Sequence, residues 1–215
     1  TAKAYALAEK KARTLTDIRK AAAKRLEERV VGELRDLSMP SVRFKVRLLS
    51  REGKSALSAS GADEVSFVMS ANAGEGLGPI SRIASGGELS RIMLALKNVF
   101  AEKDGVEALI FDEIDTGVSG VAAQRVAEKL AALGRTKQVL CVTHLPQIAA
   151  MAQQQYLVEK SEHGGRTYTS IRLLNREGRR YELARLSGGD VITDTQLAGA
   201  EELLARDERF RASLS

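Results

Sequence analysis

Along residues 2–37 apolar positions recur at Leu7, Leu15, Ile18, Ala22, Leu26, Val30, Leu34 and Leu37, mostly in steps of three and four. That period predicts one long helix with a single apolar stripe. The segment holds no proline and one glycine, Gly32, and is rich in Ala, Lys, Arg, Glu and Leu, all good helix formers. So thin a stripe on so long a helix fits half of an antiparallel coiled coil, or a single helix lying on the domain that follows. Pro40 disfavours helix in the residue before it, so the helical segment is expected over 1–38 and a second region over 39–215.

Beyond Pro40 the period becomes two. Val42, Phe44, Val46 and Leu48 alternate with Arg43, Lys45 and Arg47, and Val65, Phe67 and Met69 alternate again, which predicts two half-buried strands. Helical spacing returns over 89–101, 119–133 and from Pro146, separated by the short apolar runs Ala108–Phe111 and Gln138–Val142. Strand, helix, strand, helix is the rhythm of a largely parallel sheet with crossover helices, an α/β fold. Residues 153–160 and 166–174 read as a hairpin around His163-Gly164-Gly165, and 194–206 as a closing helix.

Composition narrows this picture. With 44% hydrophobic and 28% charged residues in 215, the chain can build a core and is not a disordered tail. No apolar run approaches the roughly 18 residues of a membrane span, and the N-terminus lacks a signal-peptide core, so a cytoplasmic location without membrane contact is expected. The single cysteine, Cys141, allows no internal disulfide. Of the net charge of +5, residues 1–36 hold +4, from ten Lys/Arg and six Asp/Glu. Lys10, Lys11, Arg13, Lys20, Lys24 and Arg25 are therefore candidate contacts for nucleic acid, or the solvated face of an ordinary helix.

Three stretches carry candidate chemistry. Ser85-Gly86-Gly87-Glu88 opens a predicted helix, where small residues let a phosphate reach free N–H groups at the positive end of the dipole. A second Ser-Gly-Gly-Asp, at 187–190, has no chemistry beside it and reads as a loop. Asp112 and Glu113 end the apolar run Ala108–Phe111, and consecutive side chains on a strand point to opposite sides. Asp112 suits Mg²⁺ coordination through water; Glu113 suits a place beside a γ-phosphate, where it orients or deprotonates water. The pair could also simply open a turn. His144 follows the third apolar run, in a turn fixed by Pro146, whereas His163 at the hairpin tip has no partner in view.

In this order the stretches resemble the second half of an ABC-type ATPase head: signature motif, Walker B with its glutamate, and H-loop. The wording Ile83–Arg91, Phe111–Gly120 and Val142–Gln147 resembles more narrowly the RecN family of bacterial DNA repair proteins, relatives of the SMC proteins, over almost the whole chain. The resemblance implies a C-terminal ABC/SMC-type head lobe behind the returning helix of a coiled coil. It also implies ATP and Mg²⁺ as cofactors, DNA as partner and a homodimer of heads near the nucleoid. Residue by residue it implies that Ser85, Gly86, Gly87 and Glu88 meet the ATP of a second head, Asp112 the Mg²⁺, Glu113 the attacking water and His144 the γ-phosphate. Asp115, Thr116 and Gly117 would belong to the D-loop.

Such a head needs a P-loop, G-x-x-x-x-G-K-[ST], and the chain has none. Around Gly53-Lys54-Ser55 the required first glycine falls on Leu48, and the following residues do not read as a helix, so a turn between strands is expected. In RecN the P-loop lies in the N-terminal half, so this chain resembles the C-terminal half of a split head that needs an N-terminal lobe as partner. Two other readings are a non-catalytic interaction module built on the basic helix, and a transporter ATPase subunit. The basic entry helix and the wording of 115–120 speak against the latter.

Overall fold

A computed structural model describes residues 2–51, 53, 57–70, 74–82, 86–101, 103–189 and 191–214. Two compact units divide the chain, 1–100 and 101–215.

In the first unit, helix α1 runs Ala2–Asp36 over 35 residues. Its buried stripe is Ala12, Ala23, Val30 and Leu34, continued by Leu37, while Leu7 and Ile18 of the expected stripe lie exposed. Ala12, Ala23 and Leu34 are each eleven residues apart, which is three turns of helix and keeps one line facing inward. The helix ends before Pro40 exerts any effect. Ser38 takes φ +61°, its N–H reaches the Arg35 carbonyl at 3.0 Å, and Met39 N–H reaches the Leu34 carbonyl at 2.9 Å. This is a Schellman closure with serine in the left-handed position and buried Met39 beyond it.

Strands β1 (Arg43–Ser50) and β2 (Asp63–Ser70) pair antiparallel, with the short β3 (Gly78–Pro79) on the far edge of β2. Phe44 is buried and its ring lies 5.6 Å from that of Phe67. Asp63 ties the sheet to α1: its carboxylate accepts the Thr16 hydroxyl at 2.8 Å, the Ser50 hydroxyl at 2.7 Å and the Arg19 guanidinium at 3.1 Å. Gly53 sits in the β1–β2 connection, as the expected turn requires; Lys54 and Ser55 lie outside the described residues. A 3-10 turn at Ile80–Arg82 precedes α2 (Gly86–Phe100), which buries Ile92, Leu94, Ala95 and Leu96.

In the second unit the expected parallel sheet is present as β4 (Ala108–Phe111) and β5 (Gln138–Cys141), joined through α3 (Gly120–Leu133). Phe111 is buried, whereas Ile110, Leu140 and Val142 alternate onto an open face, with Ile110 directly opposite Leu140. Helix α4 (Pro146–Met151) follows β5. The expected hairpin is β6 (Tyr156–His163) and β7 (Arg166–Leu173). Gly164 and Gly165 both have positive φ, +59° and +72°, as a type I′ turn demands.

Helix α5 (Arg176–Gly188) corrects the reading of the second Ser-Gly-Gly stretch as a loop: Ser187 and Gly188 are its last residues, and Gly189, at φ +85°, closes it. Asp190 lies outside the described residues. Helix α6 (Asp194–Ser213) runs beyond the expected 206 and opens with a capping box between Thr193 and Gln196. Ala149, Ala150, Leu183, Ala184, Ala200 and Leu204 from α4, α5 and α6 form one core.

Candidate functional site

The chain leaves β4 at Asp112, and both Asp112 and Glu113 are exposed. Asp112 Oδ1 accepts the main-chain N–H of Glu113 at 2.9 Å. Glu113 has φ +55°, a left-handed conformation rare for a residue with a side chain this long. It turns the chain sharply, after which Thr116 N–H bonds to the Glu113 carbonyl at 3.1 Å and Val118 N–H to the Asp115 carbonyl at 3.3 Å.

Side chains in this loop alternate between solvent and core. Thr116 and Gly117 are exposed, whereas Ile114 is fully buried and Asp115 is 4% exposed. The neighbouring strand β5 continues in register, Val142 N–H donating to the Phe111 carbonyl at 2.9 Å, so Thr143 and His144 emerge beside the acidic turn. Asp115 Oδ2 accepts two hydrogen bonds from there, the Thr143 hydroxyl at 2.6 Å and the His144 main-chain N–H at 2.9 Å, and His144 Nδ1 lies 3.0 Å from the same oxygen. Thr143 Oγ1 in turn accepts the Leu145 N–H at 3.1 Å. The His144 ring stays 73% exposed, held by one edge.

Two arginines hold the helix that follows. Arg179, buried, donates through Nη2 to the carbonyls of Ala150 at 3.0 Å and Ala152 at 2.9 Å, and Arg211 donates through Nη1 to Met151 at 2.9 Å. They satisfy the carbonyls that the short α4 leaves open at its C-terminus. Cys141 lies just before this loop; burial first, then the Asp115 and Asp112 charges, push its thiol up to about 12. That shift disfavours the thiolate near neutral pH.

The first unit holds the Gly-Gly-Glu stretch as the opening of α2: Gly86 is exposed, Gly87 buried and Glu88 half-buried. Burial lowers the Arg91 guanidinium from its ordinary value, and the Glu88 charge three residues back opposes that shift. Ser85 lies outside the described residues. All six basic candidates, Lys10, Lys11, Arg13, Lys20, Lys24 and Arg25, are exposed along α1, and Arg13 pairs with Glu9 at 2.8 Å. The side chain of His163 lies outside the described residues.

Known proteins resemble this chain closely in sequence. It is 46% identical over 191 residues, 88% of its length, to the DNA repair protein RecN of Halalkalibacterium halodurans. RecN of Treponema pallidum is 46% identical over 93% of the chain, and RecN of Bacillus subtilis 40% over 94%. The chain belongs to the RecN family. It matches the C-terminal half of RecN and spans about a third of the length of these relatives, 34–37%. No family model matches it. Among solved structures, the Smc head domain with coiled coil and joint from Pyrococcus yayanosii aligns with 79% of the chain and 30% of its own, at a TM-score of 0.53 and 19% identity. That likeness concerns the fold, an SMC-type head.

Within this RecN-family segment Asp112, Glu113, Asp115, Thr116 and Gly117 lie on the loop that leaves β4 and His144 on the loop that leaves the adjacent parallel strand β5, with Asp115 in contact with His144. The Thr143 hydroxyl and the two arginine caps escaped the sequence reading. A threonine directly before His144 was the available signal for the first; nothing local marks Arg179 or Arg211, which act across 27 and 60 positions.

Proposed function

We propose that this chain is the C-terminal lobe of a composite ATPase head in DNA double-strand break repair, and that an N-terminal lobe with a P-loop completes it. The observation that carries the reading is the convergence of Asp112, Glu113 and His144 at the C-terminal ends of two hydrogen-bonded parallel strands, where open α/β sheets bind ligands. The bare apolar face of Ile110, Leu140 and Val142 adds support, since a two-stranded parallel sheet is normally covered on both sides.

Glu113 orients and deprotonates the water that attacks the γ-phosphate, and His144 meets the γ-phosphate through its outer edge. Ser85, Gly86, Gly87 and Glu88 serve the nucleotide of a second head, and Thr116 and Gly117 are the exposed D-loop residues left for the dimer interface. Among the described residues no group of three or more His, Cys, Asp or Glu is arranged to hold a metal ion. One exposed carboxylate, Asp112, fits Mg²⁺, which takes one or two carboxylates and completes its shell with phosphate oxygens and water. When bound, Mg²⁺ neutralises charge on the phosphates.

Helix α1 is the returning helix of the coiled coil, and its six exposed basic residues meet DNA phosphates without sequence preference. Among the described residues no helix is long and apolar enough to cross a membrane. The test is addition of the N-terminal lobe: Mg²⁺-dependent ATP hydrolysis should appear with both lobes present and be absent from this chain alone. Robust turnover by the chain alone contradicts the reading.

A further inference from the structure

Asp115 Oδ2 accepts from the Thr143 hydroxyl and from the His144 main-chain N–H, both of which donate to it. The third approach, His144 Nδ1 at 3.0 Å from the same oxygen, is then favourable only if Nδ1 carries the proton. A carboxylate against one ring nitrogen fixes both the tautomer and the direction of the other. Asp115 is 4% exposed among these groups, and the turns at Thr116 and Val118 close its loop.

We propose that Asp115 is the positioning residue of His144: it holds the ring in the Nδ1–H form and turns Nε2 outward toward the nucleotide. The Thr143 hydroxyl is the second member of this support, aligning the carboxylate and bracing the Leu145 turn. Because the same loop begins with Glu113, the water-facing carboxylate and the phosphate-facing imidazole sit on two loops that Asp115 joins. A movement of the acidic turn therefore moves His144 with it. The catalytic consequence rests on the composite-head reading; the tautomer does not.

The chain contains only two histidines, so imidazole nitrogens are readily assigned by long-range ¹H–¹⁵N correlation, with a His163→Gln variant identifying the second ring. At about pH 8.5, above the ordinary histidine range, His144 of the unmodified chain should show its proton on Nδ1. A proton on Nε2 overturns the proposal, and this measurement needs no altered residue. Asp115→Asn, checked for native fold by circular dichroism, should move the proton to Nε2, since the amide can donate to Nδ1. In the two-lobe head, Asp115→Asn should lower kcat about 10- to 100-fold with KM for ATP nearly unchanged. Unchanged kcat despite a switched tautomer overturns the positioning role while leaving the ATPase intact. A head that never hydrolyses ATP sinks the composite-head reading, and the tautomer measurement still decides the Asp115–His144 relation.

Discussion

His144 meets Asp115 twice, its main-chain N–H bonded to Oδ2 at 2.9 Å and its ring Nδ1 3.0 Å from the same oxygen, on a residue that is 4% exposed. One buried acceptor thereby couples the loops that leave β4 and β5. Unpaired, that carboxylate would be costly, so each of its donors stabilises the local fold as well as shaping the site.

Thr143→Val removes the donor at 2.6 Å and the acceptor of the Leu145 N–H while keeping the side-chain shape. Unfolding by urea should show a loss of about 1–3 kcal/mol, the range for leaving a buried polar group short of a partner. Thr143→Ser keeps the hydroxyl and should lose less.

Glu113 adopts φ +55°, where a side chain costs roughly 1–2 kcal/mol and glycine does not. Glu113→Gly should therefore raise stability by up to about 1 kcal/mol, offset in part by the freedom glycine gains when unfolded. Glu113→Gln keeps the strain and should leave stability within about 0.5 kcal/mol of the parent. Denaturant midpoints at constant slope check both.

Cys141, with its thiol pushed up to about 12 by burial and the nearby Asp115 and Asp112 charges, should resist a water-soluble disulfide reagent at about pH 8 in the native chain. In denaturant it should react at the rate of an ordinary thiol. Rapid native labelling would place Cys141 in an open position that the folded chain does not have.

Two aspartates give opposite pH dependences. Hydrogen bonds, that of Ser50 foremost, hold the Asp63 carboxyl below its ordinary value, against the effect of burial. Its contribution is complete above the ordinary aspartate pKa and disappears as pH falls through the lower folded value. Burial raises Asp207, so its contribution is complete below the ordinary value and disappears as pH rises through the raised one. Asp63→Asn should flatten the acid limb of a stability–pH curve, and Asp207→Asn should remove the decline on the other side.

The sequence displayed the parts whose period is regular: α1, the β1–β2 alternation, the β4–α3–β5 unit and the Gly-Gly hairpin. It also placed Asp112, Glu113 and His144 just beyond two short apolar strands, which is where the structure has them. It hid α5, whose polar face and terminal Ser-Gly-Gly imitate a loop, and it hid which way the acidic loop turns. Asp115 stands two residues from Glu113, yet one is exposed and the other buried, across a left-handed backbone turn at Glu113 that the sequence does not announce. The stripe on α1 was legible as a period but drifted in phase, since Ala12 and Ala23 count as weakly apolar yet face inward.

The most direct test of the composite head compares the parent with Glu113→Gln after both lobes are combined. The substitution keeps size and hydrogen bonding but removes the base, so ATP should still bind, turnover should fall by about 100-fold or more, and ATP-bound head dimers should accumulate in light scattering. Normal turnover by Glu113→Gln, or no nucleotide-dependent dimer in either protein, would contradict the roles assigned to these residues.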